Sequence, residues 1–157
     1  IQAGATTGTI LLIAMTAAIA TYIFTIDRLP LKVSEAILSF SQDPTIVLLL
    51  MGVVFIIVGM FMDIIAAILI LTPVVFPTAM SVGIDPIHFV VFMVTALSIG
   101  LSTPPVGVCL FATSLVSNLR IERIVRAGAP YYIILLVFLG IIALFPEIVL
   151  TPVRLLM

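Results

Sequence analysis

The residues of this chain best suited to chemistry are consecutive: Gly100-Leu101-Ser102-Thr103-Pro104-Pro105-Val106-Gly107, in the middle of a long apolar run. Two adjacent prolines have no amides to give, so in a continuous helix the carbonyls of Gly100 and Leu101 would lose their partners. Proline also drives the residue before it toward extended dihedrals, which predicts a helix break at Thr103. Gly100 suits a left-handed turn past a helix end, Ser102 or Thr103 an N-cap, and Pro104 and Pro105 the first positions of a restarted helix. Inside a bilayer, lipid cannot satisfy freed backbone groups, so they must face protein or a wet cavity. Carbonyl and hydroxyl oxygens held there are neutral ligands for a hard monovalent cation such as sodium. The N-terminal end of the restarted helix suits a carboxylate. Ser98 and Ser102 are weaker candidates for contact with such an anion, and helix packing explains them equally well.

The elements that must position this break lie in a membrane. Of the 157 residues, 64% are hydrophobic and 8% charged, with a mean hydropathy of +1.49, which leaves too little polar surface for a dissolved globule. The expected class is therefore an all-α integral membrane protein. A net charge of -1 excludes a basic nucleic-acid footprint. Cys109, the single cysteine, permits neither an internal disulfide nor a cysteine metal cluster, and reads as a small apolar helix residue. Phosphate-binding glycine loops and serine or cysteine nucleophiles with a base at motif spacing do not occur, so no enzyme signature and no organic cofactor are expected. The chain opens on Ile1 within an apolar, small-residue stretch, and residues 1–157 read as one transmembrane fragment of a longer protein.

In chain order, residues 8–26 form a nearly uncharged run of 19, about 28 Å as a helix and enough for one crossing. Residues 27–43 mix Asp27, Arg28, Lys32, Glu35 and Asp43 with Leu29, Val33, Ile37 and Phe40, the pattern of an amphipathic surface helix; a polar loop is the alternative. Residues 45–80 carry one charge, Asp63. A turn at Gly59 leaves a first arm of 14 residues, about 21 Å, too short to cross, which predicts a re-entrant hairpin. Asp63 then falls in the first turn of the second arm, where it is either a functional intramembrane carboxylate or a complement to the helix dipole. Ser81 to His88 reads as a short surface connection, and His88 has nothing at metal-ligand spacing around it. Residues 86–117 form the broken helix. The connection from Asn118 to Gly128 holds Arg120, Arg123 and Arg126 against Glu122, and should remain cytoplasmic, with Asp27 to Asp43 and Ser81 to His88 on the periplasmic side. A last transmembrane helix spans 129–150.

Four segments in this order resemble a family: Gly59-Met60-Phe61-Met62-Asp63, Ile70-Leu71-Thr72-Pro73 through Pro77, Gly83 to Phe89, and Ile99 to Gly107. They are similar to the C-terminal half of the large, DctM-like membrane subunit of tripartite ATP-independent periplasmic (TRAP) transporters. The resemblance covers almost the whole chain. It implies a half-repeat of the ion transporter superfamily: a surface arm helix, a re-entrant hairpin and an unwound transmembrane helix. It implies a sodium-coupled importer of organic acids, of C4-dicarboxylate or sialic-acid-like type, in the bacterial inner membrane. The implied partners are a small TRAP membrane subunit, a periplasmic substrate-binding protein and the N-terminal half of the same subunit. Carried over by motif, sodium would be held by backbone at Gly59, Gly100 and Val106, with Thr103 supplying backbone or hydroxyl oxygen. Apart from the resemblance, Ser98, Ser102 and Thr103 are the weaker candidates for contact with the organic-acid substrate, and Pro104, Pro105 and Asp63 are read as structural residues of the break and the hairpin tip.

Three rivals follow from the same residues. Another carboxylate or ion carrier of that superfamily would show similar hairpins and breaks. An intramembrane aspartyl protease would need Asp63 and Asp85 together, although Asp85 belongs to a surface turn. A purely structural membrane subunit has little use for an intramembrane break.

Overall fold

The computed structural model describes residues 26–104 and 108–156 and the isolated positions 11, 15, 19, 22 and 23. The crossing expected over 8–26 lies mostly outside the described residues. The described chain is helical, without strands: α1 (Leu29–Phe40), α2 (Pro44–Phe61), α3 (Ile64–Ser81), α4 (Pro86–Ser102), α5 (Val108–Ser117), α6 (Ile121–Leu144) and α7 (Glu147–Leu156). Helices α2, α3 and α6 are long and apolar enough to cross a membrane. With the composition, this makes the chain an integral membrane protein.

Local chemistry sets the starts of these helices. Asp43 caps α2, its carboxylate accepting from the amides of Thr45 at 2.8 Å and Ile46 at 3.4 Å, and Pro44 takes the first helical position, where no amide is needed. Asp85 and Pro86 repeat the device on α4, with Ile87 N–H donating at 2.8 Å and His88 N–H at 3.3 Å. Between α3 and α4, Gly83 adopts φ +83°, and the amides of Gly83 and Ile84 close onto the carbonyls of Met80 and Ala79. That left-handed turn strains any residue with a Cβ.

The hairpin differs from expectation at its tip. Gly59 is helical, and the turn falls at Met62 and Asp63, giving two arms of 18 residues, each about 27 Å. Arms of that length reach across most of a hydrocarbon core, so length alone does not require a re-entrant tip. Residues 27–43 do contain a helix, α1, which packs Val33, Ile37 and Leu38 against the core and exposes Lys32, itself 2.9 Å from Asp27. The last membrane-length helix begins at Ile121, eight residues before the expected 129, so Arg123 and Arg126 are helical rather than in a loop.

Helices α2 and α4 run parallel, side by side: Gly52 lies against Phe92, and Gly59 against Leu97 and Gly100. Their facing residues make the core, with Val47, Leu48, Met51 and Phe55 from α2 and Phe89, Phe92, Met93, Ala96 and Leu97 from α4 all buried. Phe89 sits edge-on between Phe55, at 6.0 Å, and Phe76 of α3, at 5.8 Å. Such pairs contribute about 0.5–1.5 kcal/mol each beyond their burial. Because lipid is as apolar as these side chains, close packing rather than water exclusion holds the helices together.

Candidate functional site

Gly59 and Gly100 meet where α2 and α4 cross. A Cβ on Gly100 would lie 2.3 Å from the Ile56 carbonyl oxygen and 2.9 Å from Gly59 Cα. A Cβ on Gly59 would lie 2.5 Å from the Leu97 carbonyl oxygen and 3.2 Å from Gly100 Cα. Each glycine is therefore required by the other helix's backbone. Gly100 does not sit in a left-handed turn past a helix end, as expected; it lies inside α4, two residues before Ser102.

Because the two helices are parallel and cross close to their C-termini, both negative dipole ends point toward one place. Among the described residues no hydrogen-bond donor reaches the carbonyls of Gly59, Met60 or Phe61 at the end of α2. On α4 the break falls where the prolines put it. Ser102 is the last helical residue, and Thr103 is extended at φ -102°, ψ 140°. The freed-carbonyl expectation needs one correction: Gly100 O accepts the Thr103 amide at 2.9 Å, a tightened last turn that replaces the bond Pro104 cannot make. A carbonyl has two lone pairs, so this bond leaves Gly100 O one for a ligand.

The hydroxyls near the break donate inward. Thr103 Oγ1 donates to Ile99 O at 2.6 Å, Ser102 Oγ to Ser98 O at 3.1 Å, and Ser98 Oγ to Val94 O at 2.7 Å. With the protons turned onto the helix, the outward lone pairs can accept a cation or a donor, but the hydroxyls cannot also donate to a carboxylate. Ser98 is exposed, whereas Gly100 is buried. Pro104 is described; Pro105 and Val106, assigned to the break and to the ion, lie outside the described residues.

Asp63 caps α3, accepting from Ile65 N–H at 3.0 Å, which is the dipole-complementing role weighed for it. Asp85 performs the same task at the start of α4. The 18 residues of α3 separate the two carboxylates by about 27 Å, which removes the aspartyl-protease arrangement. Among the described residues no three His, Cys, Asp or Glu side chains gather into a metal site.

Sequence reasoning missed the role of His88. Expected in a surface connection, it is a buried residue of the first turn of α4, and its Nε2 lies 2.8 Å from the Ile142 carbonyl of α6. The amide that would bond Ile142 O within α6 belongs to residue 146, which is proline. His88 supplies the missing donor, so Nε2 carries the proton. The readable signal was a proline four residues after Ile142 together with an unassigned histidine. The same end holds a cavity of about 220 Å³ lined by Pro44, Leu48, Asp85, His88, Leu144 and Pro146, at the far end of α2 and α4 from the Gly59–Gly100 contact.

Comparison with known proteins gives the family. The family model described as "Tripartite ATP-independent periplasmic transporter, DctM component" matches residues 1–148. The chain belongs to that family. Similar relatives of TRAP type are the isethionate TRAP transporter permease protein DctMQ of Oleidesulfovibrio alaskensis, 38% identical over 94% of this chain and 23% of its own length, and the C4-dicarboxylate large permease protein DctM of Pseudomonas aeruginosa, 38% identical over 94% and 35%. The sialic acid large permease protein SiaM of Vibrio cholerae is 32% identical over 90% of this chain and 33% of its own. The chain thus spans between about a quarter and a third of these TRAP permeases.

Proposed function

We propose that the chain forms one wall of the transport site in the large permease subunit of a sodium-coupled TRAP importer of organic acids. It lies within the C-terminal half of that subunit, in a bacterial inner membrane. It works with the N-terminal half, a small membrane subunit and a periplasmic substrate-binding protein. The names of the relatives suggest the acid class, with C4-dicarboxylates and sialic acids among their substrates. The observation that carries the ion reading is the contact of Gly59 with Gly100 beside the extended Thr103. Two parallel helix C-termini and a broken backbone, with carbonyls unpartnered among the described residues, favour a cation there over an anion. Sodium would take backbone oxygens of Gly59 and Gly100 and the outward lone pair of Thr103, with Val106 completing the set. The substrate carboxylate would sit beyond, toward the N-terminal end of α5. In this reading α2 and α3 are the two arms of a re-entrant hairpin, α1 is the surface arm helix, and α4 with α5 is the unwound helix.

The test uses the full-length transporter at matched expression and saturating substrate. If the Thr103 hydroxyl ligates sodium, Thr103→Ala raises the sodium concentration for half-maximal uptake several-fold, while Thr103→Ser largely preserves it. A hydroxyl that only braces the end of α4 predicts a loss of maximal rate through folding, with the sodium midpoint unmoved. An unmoved midpoint in Thr103→Ala removes the hydroxyl from the site. Gly100→Ala cannot serve as the complementary test, because its Cβ forces apart α2 and α4 whatever the ion does.

A further inference from the structure

We infer that Arg120, Arg123 and Arg126 form a binding site for the phosphate-bearing headgroup of an anionic phospholipid, where α6 leaves the hydrocarbon. From Ala127 to Leu144 α6 carries no charge over 18 residues, about 27 Å, close to the thickness of the bilayer core. The three arginines lie just outside that stretch, within six residues of one another and so about 9 Å along the axis. Tyr131 and Tyr132 follow one to two turns deeper, Tyr131 exposed, as aromatic residues at the edge of a bilayer do. Both features put the guanidinium groups at the depth of lipid phosphates.

Spacing and charge select the ligand. Residues three apart on a helix advance by about 300°, so the arginines share one side of α6 and wind slowly along it. With Glu122 they line a cavity of about 240 Å³. All three are exposed, and among the described residues none pairs with a carboxylate, Glu122 included. A guanidinium keeps its charge at any physiological pH, and its planar fork matches two phosphate oxygens at once. Arg120, the N-cap residue of α6, makes no side-chain cap, so the first-turn amides add positive dipole, partly offset by Glu122 in the same turn. Free phosphate shares this chemistry, but the adjoining surface decides for lipid. Tyr131, Ile133, Ile134 and Val137 of the same helix are exposed and offer acyl chains a continuous apolar path below the headgroup.

The experiment uses the full-length permease in detergent, titrated with phosphatidylglycerol or phosphatidylcholine and read by native mass spectrometry. Wild type is expected to retain phosphatidylglycerol in preference to phosphatidylcholine. Each Arg→Gln substitution lowers retention of phosphatidylglycerol about fivefold and leaves phosphatidylcholine unchanged. Glu122→Gln, which removes the only acid from the cluster, raises it. Inorganic phosphate at matched concentration does not displace the lipid. Phosphatidylglycerol retained equally by the triple variant overturns the proposal, and so does its full displacement by inorganic phosphate, which would make this a small-anion site. If the triple variant is not recovered folded, Arg123→Gln and Glu122→Gln alone decide: opposite shifts support the site, and shifts that are absent or of one sign overturn it.

Discussion

Replacing Gly100 by alanine tests the helix crossing that organises the whole site. The added Cβ would sit 2.3 Å from Ile56 O, against an ordinary contact of 3.4 Å or more, so α2 and α4 must part by about 1 Å. All three nearest atoms, Ile56 O, Gly59 Cα and Gly59 C, are backbone, and no side-chain rotation relieves the overlap. A 1 Å gap forfeits a quarter to a half of the dispersion energy of each contact along the seam, and in a bilayer those contacts are the main attraction. The expected cost is about 1–3 kcal/mol, at roughly 1 °C of melting temperature per kcal/mol for a subunit about three times the length of this chain. Gly59→Ala, whose Cβ meets Leu97 O at 2.5 Å, should cost about as much. The double variant should cost less than the sum, because the first substitution has already separated the helices. Gly140→Ala is the control: it lies within α6 with none of the described residues within 4 Å of an added Cβ, and should be neutral or stabilise by up to about 1 kcal/mol. Thermal unfolding of the purified full-length permease, followed by size-exclusion chromatography, measures all four. Gly100→Ala melting with wild type, or strictly additive effects of the two alanines, would refute the crossing.

Other substitutions probe the caps and the core, with the same thermal readout. His88→Ala leaves Ile142 O without a donor and should cost about 1–3 kcal/mol, whereas His88→Gln, which retains an N–H, should recover part of the loss; equal losses would show that the ring packs without bonding. Thr78 is fully buried and among the described residues its Oγ1 has no partner, so Thr78→Val, nearly isosteric, should be neutral or stabilise by about 1 kcal/mol. A marked loss there would reveal a hidden partner for the hydroxyl. Asp63→Ala should cost about 1 kcal/mol through the α3 cap while Asp63→Asn stays near wild type, and loss of uptake in Asp63→Asn with stability intact would give the carboxylate a function beyond capping.

What was legible in the chain was whatever a few neighbouring residues decide among themselves. Pro104 and Pro105 withhold amides from their own helix, so the break at Thr103 could be placed to the residue. Asp43-Pro44 and Asp85-Pro86, where cap and first turn are adjacent, and Gly83, whose left-handed turn needs no distant partner, are equally local, although sequence alone assigns them only to a surface helix and a surface connection. Gly59 misled because glycine answers two different demands: freedom at a turn and the absence of a side chain at a close approach. Its own neighbours favour neither, and the choice was made by Gly100, 41 residues later. Once Gly59 belongs to the crossing, the hairpin must turn later, and Asp63, the next residue able to cap a helix, takes the turn. His88 shows the same relation from the other side, its role set by a proline 58 residues away that leaves Ile142 without a donor. Each missed role is an unmet demand on one helix answered by a residue on another. The Gly59–Gly100 contact is what the proposed ion site needs: two helices without side chains at their crossing bring their carbonyl ends close together.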